Sequence, residues 1–340
     1  MNDETRDACW LVVLFVLVVI VYGLACAFAR GTTPELSPTA KLGFALYADK
    51  RMSVDGTTAC ASCHQAKYGY SDGRKLAVGL VGSRRSPTGF VGEFNSPTLI
   101  GVGRQAKQFY DQRADSLFDQ CLMPALNDIE MGNDSIGQVV RRFDRIGSYK
   151  PLFAAAFGDG AATERRLRTA LVAFCSAVDS KNAPADFLAR DYAGVSDTGV
   201  IDGGHDLGIS DSALRGWNIL RASRCLECHR PDQDFRDHQL HRTGIALRSG
   251  RGQRNTVKTP TLREIQRTAP YMRDGSLTTL REVVDWYNGG GVYVRGGQRL
   301  RDSRRDPRIE PLGLDEQGRE DLTAALIECF AGDLIWYEPQ

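Results

Sequence analysis

The chain has 340 residues, an apolar fraction of 42%, a charged fraction of 25% and a formal net charge of +1. These values are ordinary for a globular protein, give no overall signal for nucleic acid, and leave room for two domains plus a short extra segment. The cations are mostly arginine, which suits carboxylate recognition better than lysine does.

Residues 10 to 28 are almost uninterrupted apolar sequence, long enough to cross a bilayer. Ala27-Phe28-Ala29 fits a small-x-small cleavage site, the mark of a removed leader. The apolar run is longer than a usual leader core, and the residues before it (Asp3, Glu4, Arg6, Asp7) are not basic, which favours an uncleaved anchor over residues 1–30. Charge bias (Arg30, Lys41, Lys50 and Arg51 after the span, Arg6 before it) would place the body in the cytoplasm. A motif further on argues for the other side.

Residues 31 to 37 read as a linker, and residues 38 to 47 as a short amphipathic helix bearing Leu42, Phe44, Leu46 and Tyr47. It leads into Cys60-Ala61-Ser62-Cys63-His64, and the same run returns as Cys225-Leu226-Glu227-Cys228-His229. Cys-x-x-Cys-His is the attachment site of a c-type haem: each sulfur takes up a vinyl group as a thioether, and the adjacent imidazole turns onto the iron. A zinc ribbon would pair Cys-x-x-Cys without the immediate histidine, and a redox dithiol would follow a strand. Two such runs imply two covalently attached c-type haems. Haem attachment is an exported-side reaction in bacteria, so the body is expected in the periplasm despite the charge bias.

Residues 161 to 178 read as a clear helix, and residues 194 to 208, rich in glycine and aspartate, as a connection between domains. Ser210-Asp211 at a helix start, followed by Leu214, Trp217, Ile219 and Leu220, repeats the helix that precedes the first motif. The expected class is mainly α, with long loops around two cytochrome c-like haem domains in tandem (residues 38–200 and 208–338), preceded by the transmembrane or signal segment. Of nine cysteines, four serve the haems; Cys9, Cys26, Cys121, Cys175 and Cys329 are irregularly spaced and read as thiols rather than a disulfide framework.

The order of motifs resembles the bacterial di-haem cytochrome c peroxidase family, including its MauG-like branch, over most of residues 38 to 330. The markers are the first haem motif, Phe94-Asn95-Ser96-Pro97-Thr98-Leu99, Phe109-Tyr110-Asp111-Gln112-Arg113-Ala114 and Asn127-Asp128-Ile129-Glu130-Met131-Gly132. The second haem motif, Thr259-Pro260-Thr261-Leu262-Arg263, Ala269-Pro270-Tyr271-Met272-Arg273-Asp274-Gly275 and residues 283 to 290 continue the series. The resemblance implies hydrogen peroxide chemistry at the first haem (Cys60, Cys63, His64) and electron transfer through the second (Cys225, Cys228, His229). It makes Glu130 the distal base, Gln120 its pocket partner and Pro124 a further pocket position. It also implies a calcium held by Asn95 with the carbonyls of Thr268 and Pro270, hard oxygen donors that suit that ion.

Three departures from the family pattern carry consequences. No histidine stands between His64 and His205, so the displaceable distal histidine of many relatives has no counterpart and the first iron is expected open at rest. Tyr110 occupies the place of the inter-haem tryptophan, and its oxidation is coupled to loss of the phenol proton. Arg273 replaces a usual histidine, without an evident role. The sixth ligand of the second haem falls, in the family register, on Tyr287, with Met272 the alternative; a phenolate favours ferric iron, whereas a thioether raises the potential.

The leading function is therefore peroxide reduction with electrons from a small cytochrome c or cupredoxin. The alternatives are MauG-like oxidation of residues on a partner protein and plain electron transfer at a membrane; Glu130 and Gln120 count against the last. Among the other histidines, His205, His238 and His241, the last could meet a haem propionate or be a solvated loop residue. Seven basic residues and one acidic residue between Arg242 and Arg267, Arg248, Arg251 and Arg254 among them, suggest an acidic partner near the second haem.

Overall fold

The computed structural model describes residues 34–80, 90–190, 207–245, 256–291, 293–295, 298–300 and 305–337. The helices in chain order are α1 (Pro38–Ala48), α2 (Cys60–Cys63), α3 (Leu117–Gln120), α4 (Met123–Leu126), α5 (Ile136–Arg145), α6 (Lys150–Phe157) and α7 (Glu164–Ala177). They continue with α8 (Pro184–Leu188), α9 (Asp211–Ala222), α10 (Cys225–Cys228), α11 (Leu280–Asn288) and α12 (Glu316–Glu328). Strands are confined to two- and three-residue pairs: β1 (Val78–Gly79) with β2 (Phe90–Val91), β3 (Ser180–Lys181) with β8 (Asp333–Leu334), β4 (Leu240–His241) with β5 (Val257–Lys258), and β6 (Tyr293–Arg295) with β7 (Gln298–Leu300), all antiparallel. The class is mainly helical, as the sequence leads one to expect.

The caps explain where the long helices begin. Ser37, Ser135, Thr163, Ser210, Thr279 and Asp315 each accept a backbone N–H of the first turn of α1, α5, α7, α9, α11 and α12. Thr163 is the reason α7 starts at Glu164 and not at the expected residue 161. The apolar run at residues 10 to 28 and the connection at residues 194 to 206 lie outside the described residues. Among the described residues no helix is long and apolar enough to cross a membrane.

From Leu36 onward the described residues pack as one compact unit around two hydrophobic cores. In the first, α1 crosses α7, with Leu42, Leu46 and Tyr47 against Leu171 and Phe174. In the second, α9 crosses α12, with Trp217 and Leu220 against Leu322 and Phe330. Each crossing is closed by a glycine: a Cβ on Gly43 would lie 1.9 Å from the Ala170 carbonyl oxygen, and one on Gly216 1.9 Å from that of Asp321. The two helix pairs are thus built on the same device.

The repeat extends into the loops. Left-handed residues recur at Gly69 and Asp234, Tyr70 and Phe235, Gly73 and His238, a spacing of 165, then at Gly101 and Glu264, Phe109 and Met272, Gln112 and Gly275, a spacing of 163. Positive φ is costly for most of these side chains, so its recurrence marks a loop fold imposed twice by tertiary structure. The two halves exchange chain. Leu334, Trp336 and Tyr337 near the C-terminus pack on the first core, while Ala185 and Leu188 of α8 belong to the second. Asp234 binds the halves further, accepting from Arg104 (2.9 Å), from Arg263 and from the fully buried Arg236 (2.7 Å).

Gly43→Ala and Gly216→Ala should each destabilise the folded protein by about 1–3 kcal/mol, because backbone facing backbone cannot yield as a side chain can. Denaturant unfolding of the haem-loaded protein measures this; a midpoint unchanged in both variants would mean that the crossings are looser than described.

Candidate di-haem active site

Each attachment run forms a single helical turn, α2 or α10, which places both cysteines on one side and sets the histidine at its end. The backbone then fixes each imidazole. His64 Nδ1 lies 3.1 Å from the carbonyls of Tyr70 and Pro97. His229 Nδ1 lies 3.1 Å from the carbonyl of Phe235, six residues on as in the first half, and is also bonded to that of Pro260. A carbonyl can only accept, so Nδ1 carries the proton and Nε2 keeps its lone pair. Burial lowers the pKa of both histidines and holds them neutral, the state that binds iron. The four thiols are unpaired, as attachment through thioethers requires. These residues fit two c-type haems.

Above the first turn the distal loop is held at close range. The Cys63 sulfur lies 3.7 Å from the carbonyl of Val78. The next residue, Gly79, presses so closely on the loop that a Cβ there would lie 2.1 Å from the Ile129 carbonyl and 2.7 Å from Glu130 Cα. Leu80 N–H donates to the Glu130 carbonyl at 3.2 Å. The carboxylate is consequently felt at both Cys60 and Cys63. Burial raises the Glu130 pKa, opposed by the charge of Arg113, and Asn127 Nδ2 donates to Glu130 Oε1 at 3.1 Å. Gln120 ends α3 next to Cys121, whose thiol acts electrostatically on Cys60, and Pro124 is the second residue of α4. The structure therefore brings the Glu130 loop against the first attachment run, with Gln120 one residue before Cys121 in sequence.

Tyr110 lies where the halves cross. Its hydroxyl donates to the Asn95 carbonyl at 3.1 Å, its ring stacks on Phe94 at 5.6 Å, and burial raises its pKa well above the ordinary phenol value. Its own carbonyl accepts from Lys258 N–H at 2.9 Å. The counterpart 163 residues on is Arg273, whose carbonyl accepts from Asn95 N–H at 2.8 Å. The two backbone bonds are the same bond made in both directions. Arg273 is buried, its guanidinium donates to the Ile245 carbonyl, and its charge opposes the burial effect on Tyr110.

Near the second run, Tyr287 of α11 packs beside the second core within electrostatic reach of Cys225 and Cys228, and burial raises its pKa. Met272 packs beside the second core in left-handed backbone. Asn95 is buried; its Nδ2 donates to the Arg74 carbonyl at 2.7 Å, and its Oδ1 makes no hydrogen bond among the described residues. Thr268 hydrogen-bonds back to Ile265 and lies against Gly69 of the first half, and Pro270 follows a cis peptide bond.

Three comparisons bear on this geometry. Residues 37–193 match the family model described as di-haem cytochrome c peroxidase. The methylamine utilization protein MauG of Methylophilus methylotrophus is 32% identical over 277 residues, covering 77% of this chain and 75% of that one. The chain belongs to the di-haem cytochrome c peroxidase and MauG family. The cytochrome c peroxidase Ccp of Escherichia coli is 28% identical over 271 residues, 74% of this chain and 54% of that protein. A MauG-like protein associated with microbial copper homeostasis superposes with a TM-score of 0.70 at 25% identity, covering 88% of this chain and 91% of that one. The di-haem peroxidase BthA of Burkholderia thailandensis, at 19% identity, shares the fold with a TM-score of 0.65 over 90% and 89% of the chains. Family membership brings di-haem peroxidase chemistry and two c-type haems to this chain.

Sequence reasoning missed several features of this family member. Arg113, stacked 3.5 Å over the Phe109 ring and paired with Asp111 at 2.9 Å, is the cation that acts on Glu130. Arg273 and Tyr110 are equivalent residues of the repeat, visible in the sequence only once the spacing of 163 is known. The solvated reading of His241 is overturned. Its ring is buried between Asp237 (2.7 Å from Nε2) and Asp306 (2.7 Å from Nδ1), because β4 turns it inward. Cys228, Asp237 and His241 converge within 4.8 Å, but a cysteine committed to a haem thioether is no ligand for a further ion. His238 takes left-handed backbone, and His205, Arg248, Arg251 and Arg254 lie outside the described residues.

Contact with the Cys228 sulfur and hydrogen bonds to the Asp306 and Asp237 carboxylates raise the His241 pKa, and the two carboxylates keep it raised once Cys228 is a thioether. A raised histidine pKa contributes stability that is complete below the unfolded value near 6.5 and lost as pH rises through the folded value. Unfolding midpoints of the haem-loaded protein should thus decline as pH rises above about 6.5, and the decline should be weaker in His241→Gln. Equal slopes for the two proteins would mean that His241 is not held as an imidazolium.

Proposed function

We propose that the protein reduces hydrogen peroxide at the haem attached to Cys60 and Cys63, with electrons entering through the haem attached to Cys225 and Cys228. The observation that carries this reading is the placement of a partly buried carboxyl, Glu130, over the first attachment turn, with a raised pKa and a fixed loop backbone. Haem supplies the iron that takes up electrons and binds the peroxide. The chain supplies the proton handling. Glu130 takes the proton from the inner peroxide oxygen and returns it to the outer one as the O–O bond breaks, so that two electrons and two protons turn hydrogen peroxide into two waters. Gln120 orients the peroxide by hydrogen bonding, and His64 would hold the iron through Nε2.

Tyr110, buried at the crossing of the halves with its hydroxyl on the Asn95 carbonyl, is the residue through which electrons pass between the halves. Tyr287, within electrostatic reach of both attachment cysteines, would hold the second haem's iron, with Met272 as the alternative. Asn95, Thr268 and Pro270 hold a calcium near the crossing of the halves. The donor is a small cytochrome c or cupredoxin, and the body works in the periplasm, held at the membrane by residues 1–30. A second reading, MauG-like oxidation of residues on a partner protein, is favoured by Tyr287 and by the lack of histidine between His64 and His205.

Glu130→Gln should leave both haems attached and slow peroxide consumption about a hundred- to ten-thousand-fold, the usual span of general acid–base contributions. The base works as the carboxylate. In the unaltered protein the rate should therefore fall as pH drops through a Glu130 pKa higher than that of an ordinary glutamate, and this limb should vanish in the variant. Anaerobic peroxide addition with and without a reduced small cytochrome reads both effects. A variant within threefold of the parent would remove Glu130 from the mechanism, and oxidation of the protein without cytochrome turnover would favour the MauG-like reading.

A further inference from the structure

Helix α5 turns Ile136, Val139 and Phe143 into the first core. Its other face carries Gln138, Arg141, Arg142 and Arg145, which line a shallow open cleft of about 390 Å³. Among the described residues no carboxylate lines this cleft. The acids nearby are engaged: Asp134 accepts from Gln138 Nε2 at 2.9 Å, Asp144 from Lys150 at 3.1 Å and from Ala162 N–H at 2.9 Å, and Asp49 from Arg51. Arg142 is held by neutral acceptors alone, the carbonyls of Arg51 (2.7 Å) and Ser53 (3.2 Å) and the side-chain oxygen of Asn133 (3.0 Å). Arg141 and Arg145 are exposed and make no ion pair among the described residues. A basic last turn complements the helix dipole, which accounts for Arg142 and Arg145. It does not account for Arg141 or for the concavity.

We propose that this cleft is a docking site for an extended acidic segment of a protein partner. Charge complementarity argues for the acid: among the described residues the three guanidinium groups make no ion pair, only Asp144 acts on Arg145 from a distance, and their forks suit carboxylates with paired hydrogen bonds. Spacing argues for the extended form. Arg141 and Arg145 are four residues apart, about 6 Å along a helix axis, and carboxylates on alternate residues of an extended chain repeat at about 6.6 Å. Two acidic side chains on one face of such a segment meet the two exposed arginines, with Arg142 fixed behind them. The cleft is braced on the loop that carries Glu130: Arg142 holds Asn133 and the Ser53 carbonyl, and Val54 N–H donates to the Met131 carbonyl at 2.9 Å. The inference goes beyond the peroxidase reading, since it assigns a surface and a partner charge to the first half.

The test is fluorescence anisotropy with a labelled decapeptide alternating glutamate and serine, on the haem-loaded full chain at low salt. Arg141→Gln/Arg145→Gln should weaken binding about five- to tenfold, with both haem spectra and peroxide consumption with a small-molecule donor unchanged. Arg165→Gln/Lys181→Gln, which removes the same charge elsewhere, should change it little. Equal loss in both double variants would overturn the proposal as general charge attraction. So would unaltered binding in the α5 variant. Arginine-dependent binding of phosphatidylglycerol vesicles, with none of the peptide, would make the occupant a lipid headgroup and overturn the partner assigned here.

Discussion

Everything at this site depends on where two imidazoles point, and in both halves that is decided by a backbone carbonyl six residues after the histidine. Tyr70 and Phe235 occupy left-handed backbone, which bends the chain back so that its carbonyl meets Nδ1. Once Nδ1 is committed as a donor, Nε2 is left as the only ligand atom and the ring cannot rotate. A second carbonyl, from Pro97 or Pro260, closes the arrangement from the other side. The Ser-Pro-Thr-Leu and Thr-Pro-Thr-Leu segments are therefore part of the iron's surroundings although they carry no ligand.

Those segments also organise the contact between the halves. The residue two before each proline, Asn95 or Lys258, donates its N–H to the opposite half, at Arg273 or Tyr110. One pair of backbone bonds thus sets Tyr110 and Arg273 relative to the segments that hold both histidines. A tyrosine fills one of these two equivalent positions and an arginine the other. The arginine charge works against the burial that makes the phenol hard to ionise. The same logic explains the distal side, where the missing side chain at Gly79 lets the Glu130 loop approach the first attachment turn.

Much of this was legible in the sequence because covalent chemistry writes itself locally. The two Cys-x-x-Cys-His runs, the helices that precede them and the Ser210 cap need no long-range information. Glu130 and Tyr110 were reachable only through motif order, since a lone glutamate or tyrosine carries no local mark. What was not legible is what the fold brings from afar. Asp306 stands 65 residues from His241 and meets it only through β4 and the segment after β7. Arg113 reaches Glu130 through loop packing. The equivalence of Tyr110 and Arg273 is hidden by the change of spacing from 165 to 163, and the return of Trp336 and Tyr337 to the first core leaves no periodic pattern.

The central claim is an asymmetric pair of haems, the first with an open iron position beneath Glu130 and the second closed by a sixth ligand. Electron paramagnetic resonance of the resting ferric protein tests it most directly. The account predicts one high-spin and one low-spin signal in equal amounts without prior reduction. Two low-spin signals, with a high-spin species emerging only after half-reduction, would contradict it.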